Sequence, residues 1–117
     1  MSKRPKDDKV FLGHMLQEID AAEHTAARRD SDPEIVKRAV VRCLEIIGEA
    51  TVNISKPLKE KHPEVPWREM KDMRDMLIHE YFGVSMDLIW GVVENELPAL
   101  RKQIQHILKE LESPDAH

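Results

Sequence analysis

The sequence predicts an all-α fold: an up-and-down bundle of four long helices, with a short extra turn between the second and third and a kink in the last. Three observations predict it. Apolar residues recur at steps of three and four through four separate segments, and nowhere alternate as in a strand. Charged side chains make up 34% of the chain and aromatics only 4%, a balance that favours helices with wet outer faces over a β-sandwich. Proline and small polar residues gather between the segments, where helices stop and start. At 117 residues the chain supports a single domain with one packed core. Residues 1–6 and 113–117, with Pro5 and Pro114, are expected to be flexible tails.

The first helix begins at Asp7 or Asp8, carries Phe11, Leu12, Met15, Leu16, Ile19, Ala22 and Ala26 on one face, and ends near Arg28 or Arg29. Asp30-Ser31-Asp32-Pro33 then offers an acidic or hydroxyl cap with proline in the first turn, which starts a helix. The second helix runs to about Asn53, with Val36, Val40, Cys43, Ile47, Ala50 and Ile54 facing the core. Gly48 interrupts it, at about 1 kcal/mol against alanine. A glycine there implies close approach of another backbone, from a neighbouring helix or a second subunit. On a different face Arg42, Glu45, Glu49 and Asn53 recur at steps of three and four, and Arg–Glu pairing accounts for them.

Ser55 to Pro66 holds three prolines and is the main connector, with room for one helical turn after Ser55. Lys56, Lys59, Lys61 and His62 make it the densest basic cluster outside the N-terminal tail. Pro66 starts the third helix at Trp67, and Phe82-Gly83-Val84 turns out of it. Ser85 and Asp87 open the last helix. Its apolar residues stay in phase from Met86 to Leu111 across Pro98, so a kink is expected there and no break.

The formal net charge is 18 − 22 = −4, so the chain has no global basic footprint for nucleic acid. Any positive potential has to be local, or pooled from two subunits. Cys43 is the sole cysteine and reads as a small core residue. No apolar run approaches membrane-spanning length and the start lacks a signal-peptide core, so a soluble, cytoplasmic protein with no membrane partner is expected. No His or Cys joins Glu45 and Glu49 at ligand spacing, and Gly83 stands where a zincin helix after His79-Glu80 needs its second His. Neither a metal nor a cofactor is expected.

The most informative stretch is Met70 to Tyr81, MKDMRDMLIHEY. On a helix, Trp67, Met70, Leu77, Ile78 and Tyr81 fall on one inward stripe, with Arg74 near its centre. A guanidinium keeps its charge, so on that stripe it must be paired or line a cleft. His79 lies about 140° round the helix from Arg74. The two converge only if the helix loosens before Gly83, or if a second subunit completes the pair. That divergence, together with Gly48, predicts a homodimer with two-fold symmetry. A fixed cation, an imidazole and a phenol are the groups needed to handle a phosphodiester. Read as structure only, the same residues are an arginine bonded to Glu45 or Glu49, a helix-end histidine and a packed tyrosine.

Arg74, His79 and Tyr81 form an R-x4-H-x-Y pattern, with the polar Asp75 after the arginine. The pattern resembles the signature of HEPN-domain ribonucleases, specifically the HepT-like toxins encoded beside a small MNT-type nucleotidyltransferase antitoxin. The resemblance runs from about Val36 to Ile104 and includes RCLEIIGEA, HPEVPW and MRDMLIHEYFGV in that order. Met76 stands where relatives often carry a basic side chain, which implies one fewer phosphate contact. Ser85 stands where they often carry Asp.

The resemblance implies a metal-independent endoribonuclease toxin of the type II or type VII kind, with Arg74 and His79 catalytic and Asp75 supporting. His79 would take the proton of a 2′-hydroxyl while Arg74 offsets charge on the phosphate, which makes RNA the substrate in preference to DNA. The signatures of two subunits would face each other across a shared cleft. The antitoxin partner would transfer AMP to Tyr81, so the Tyr81 hydroxyl is expected within reach of solvent. The rival reading is a non-catalytic helical dimer that binds nucleotide or presents a substrate to the partner nucleotidyltransferase.

Overall fold

Six α-helices and a short 3-10 turn, with their connectors, occupy residues 7–112, the part of the chain that the computed structural model describes. No strand occurs among the described residues, and the tails predicted at 1–6 and 113–117 lie outside them. Helix α1 spans Asp8–Ala26 and α2 spans Pro33–Val52, with the Asp32 side chain accepting from the Ile35 N–H at 3.4 Å. Proline at the first position of α2 adds a preset φ where no N–H is needed. The short α3, Lys56–Lys61, fills the predicted extra turn in the connector. Helix α4 spans Trp67–His79, and Tyr81–Gly83 form the 3-10 turn behind it.

The core follows the predicted stripes. Leu12, Met15, Ile19 and Ala22 of α1 are fully buried, against Val40, Ile47 and Ile54 of the α2 segment. Helix α2 carries most of the packing, with α1 along one flank and α4 along another, while α6 closes on α1. At the start of α1 the buried Asp8 carboxylate accepts from the Ser55 backbone N–H at 2.8 Å and its hydroxyl at 2.6 Å. A buried carboxylate requires such donors, and these two tie α1 to the α2–α3 junction. Arg101 of α6 bonds Asp20 at 2.6 Å and also Glu23, both on α1.

Two expectations are corrected here. The single kinked last helix is in fact two, α5 (Met86–Asn95) and α6 (Leu97–Glu112), separated at Glu96. Hydrogen bonds run up to the junction and away from it, Glu96 N–H to Val92 O and Leu100 N–H to Glu96 O. Pro98 has no N–H to give to Glu94, and the helical assignment lapses within that turn. His62 is no part of an exposed basic cluster. It is buried, with Nδ1 3.2 Å from Glu64 and its carbonyl accepting from the Trp67 indole at 2.9 Å. No helix among the described residues is long and apolar enough to cross a membrane.

Candidate functional site

Arg74 owes its place to a glycine on the neighbouring helix. A Cβ at position 48 would lie 2.8 Å from the Met70 carbonyl oxygen and closer still to the Arg74 Cβ, so α4 rests directly on the backbone of α2. Of the two explanations open for Gly48, the neighbouring helix is the one found, and the residue gives no support to a dimer. Its proximity brings the Arg74 guanidinium to Glu49 of α2 at 2.6 Å, and Asp75 accepts a second bond at 2.8 Å. Arg74 is about a quarter exposed, and its Nε is buried without a partner. Asp75 also bonds Lys71 at 3.2 Å, and Lys71 first, then Arg74, hold its carboxyl below the usual range. The predicted requirement that Arg74 be paired is met, by Glu49 and not by Glu45, which pairs with Arg42 at 3.1 Å.

His79 is the last residue of α4, exposed, and its side chain makes no hydrogen bond or ion pair to another described residue. The helix persists through His79 and loosens only at Glu80, so Arg74 and His79 stay about 140° apart round one axis. One subunit does not bring the pair together. Ile78, placed on the inward stripe by its spacing, is instead 50% exposed, because α4 packs chiefly on α2 and leaves its far flank bare.

Tyr81 also departs from expectation. Its hydroxyl is buried and has no hydrogen-bond partner, so it is not within reach of solvent in this conformation. The ring lies under two cations of α2, with Lys37 Nζ 4.6 Å and Arg38 Cζ 5.9 Å from its centroid. Phe82 meets Tyr81 edge-on at 5.3 Å and is itself 91% exposed.

Comparison with known proteins bears on what this helix end is. The family described as ribonuclease HepT-like matches residues 12–107, most of the chain. The chain belongs to the HepT-like family. A protein of Caldanaerobacter subterraneus subsp. tengcongensis named "Putative RNase" is 44% identical over 108 residues, covering 89% of this chain and 96% of its own. "Probable ribonuclease HepT" of Thermococcus cleftensis is 51% identical over 71 residues, 61% of this chain and 64% of that one. No solved structure gives a significant match.

In this HepT-like chain Arg74 lies within α4, His79 ends it and Tyr81 opens the turn that follows. What the sequence reading missed there is the contribution of α2. Lys37 and Arg38 have no carboxylate partner among the described residues, and both face Tyr81. The adjacent basic pair on α2 was the available signal, yet only the fold shows which tyrosine it meets. An apolar depression of about 120 Å³ between Leu44, Met70, Met73 and Leu100 is lined mainly by core side chains and includes neither His79 nor Tyr81.

Proposed function

We propose that this chain is a metal-independent endoribonuclease, the cytoplasmic toxin of a toxin–antitoxin pair, working as a homodimer of single HEPN-like four-helix bundles. The observation that carries the reading is the state of the two signature side chains. Arg74 is fixed in place by Glu49 and Asp75, and His79 stands free at the helix end. In a family of ribonucleases, a positioned guanidinium and an uncommitted imidazole are what phosphodiester cleavage needs.

His79 takes the proton from the 2′-hydroxyl, whose oxygen attacks phosphorus. The bond from phosphorus to the 5′-oxygen breaks, and that oxygen takes up a proton through the imidazolium or water, replacing the one His79 removed. This leaves a cyclic phosphate on one product and a 5′-hydroxyl on the other. Arg74 holds the phosphate oxygens as charge builds on them. Because one α4 keeps the two residues apart, Arg74 of one subunit works with His79 of the other. The exposed apolar Ile78 and Leu88, near His79 along the chain, supply surface for that pairing.

Neutralisation is the second part of the proposal: an MNT-type nucleotidyltransferase partner adds AMP to Tyr81. The hydroxyl has no bond to lose, so opening the 3-10 turn is enough to present it.

The test of the nuclease is direct. His79→Ala and Arg74→Ala should each slow cleavage of single-stranded RNA, with loss of proton transfer alone giving about 10²–10⁴-fold. Helical circular dichroism should be retained, and EDTA should change nothing. Products ending in 5′-phosphates, or activity that vanishes with EDTA, would overturn the mechanism.

A further inference from the structure

We propose that the pocket between α2 and the Tyr81–Phe82 turn is a nucleotide subsite, in which Phe82 stacks an RNA base while Arg38 and Arg42 take its phosphate. The inference rests on the ribonuclease reading and adds a binding site to it. The pocket is lined by Arg38, Val41, Arg42, Glu45, Tyr81 and Phe82 and holds about 290 Å³. That is near the lower end of small-molecule sites, about 300 Å³, a size suited to one nucleotide and not to a duplex.

Its chemistry is that of single-strand recognition, an aromatic face beside cations. Phe82 is 91% exposed and touches Tyr81 only edge-on, so most of its ring is open for stacking. Arg38 is exposed and has no carboxylate partner, while Arg42 pairs only with Glu45 and stays largely exposed.

A second observation comes from the cation over the Tyr81 ring, beside the pocket. Lys37 is only 7% exposed, yet it has no anionic partner and holds its ammonium over the Tyr81 ring. The pocket lining carries Arg38 and Arg42 against Glu45, 2 − 1 = +1, in a chain whose total is −4. With no carboxylate on it among the described residues, the Lys37 ammonium adds to the positive potential that draws an RNA phosphate to this face. Tyr81 lies two residues beyond His79, so a nucleotide held here adjoins the scissile bond.

The experiment uses the non-cleaving His79→Ala protein and a fluorescent single-stranded RNA hexamer, read by anisotropy across a salt series. Adding Phe82→Ala should weaken binding by about 5- to 150-fold, the range for losing one stacked base. Phe82→Tyr should restore it. Arg38→Gln should reduce the salt slope by roughly 1. In the otherwise native enzyme the same changes should raise KM with kcat within about twofold, the mark of lost uniform binding. Sedimentation of Phe82→Ala should match wild type. Cleavage by wild type with hexamer affinity indifferent to Phe82 and Arg38 would overturn the subsite and leave the nuclease standing. A Phe82→Ala protein that falls apart into monomers would make the exposed ring a subunit contact instead. A wild type that neither binds nor cleaves RNA would remove both readings.

Discussion

Three side chains are in states that their residue types would not suggest. Cys43 is a small core residue, as its helix face predicts, but its thiol is pushed up to about 11, by burial first and then by Glu18. Only the thiolate is nucleophilic. At pH 8 the native protein should therefore react with iodoacetamide about 10²-fold more slowly than the unfolded chain. Mass spectrometry of labelling in buffer and in urea measures the ratio, and equal rates would contradict the burial. Tyr81 is the second case, a phenol with its oxygen buried and unbonded. Tyr81→Phe keeps the ring under Lys37 and Arg38 and removes only that orphan oxygen, so folding and most nuclease activity should survive. With ATP and the cognate nucleotidyltransferase, intact mass should show added AMP on wild type and none on this variant. The modified protein must be assayed free of its partner, since tight binding alone would mask activity. The third is Asp75, whose depressed carboxyl contributes its stabilising contacts above 3.8 and loses them as pH falls through the lower native value.

At the scale of elements, the helices were legible because their signals are local. Asp32-Pro33 caps α2, Pro66 precedes α4, and Ser85 accepts from the Leu88 N–H at 3.1 Å to cap α5. What was not legible depends on partners distant in sequence. Ile78 is bare because no described residue covers that flank of α4, and His62 is buried with its Nε2 3.9 Å from Glu110 of α6. Neither fact is contained in a hydrophobic period. Gly48 lies between these cases: its need for a close neighbour was readable, but not which neighbour. The contact with Met70 and Arg74 makes a specific forecast. Gly48→Ala gains about 1 kcal/mol of helix propensity but overpacks the α2–α4 contact, at about 1–3 kcal/mol. The net result should be a lower melting temperature by calorimetry. Cleavage should fall further than stability does, because Arg74 moves away from Glu49. A variant as stable and active as wild type would mean that the two helices separate freely.

For the whole molecule, the governing fact is that α4 remains helical through His79. A rigid rotation of about 140° between Arg74 and His79 cannot be absorbed by side-chain rotamers at a helix end. The signature was readable as a set of residues, but one chain's α4 does not bring Arg74 and His79 together. Gly48 no longer argues for a dimer, so the weight falls on this divergence and on the bare Ile78 and Leu88. If Arg74 and His79 act across a two-fold axis, inactive variants should rescue each other. An Arg74→Ala subunit keeps its His79, and a His79→Ala subunit keeps its Arg74. A mixed dimer therefore contains one complete pair and one doubly defective pair. With random exchange half of the dimers are mixed, so roughly a quarter of wild-type activity should return. Either variant alone should remain inactive. If both residues acted within one chain, no mixture would contain an intact pair, and activity would stay at the level of the separate variants. Sedimentation of the mixture distinguishes that result from a failure to exchange, and a wild type that sediments only as monomer at micromolar concentration would end the dimer proposal.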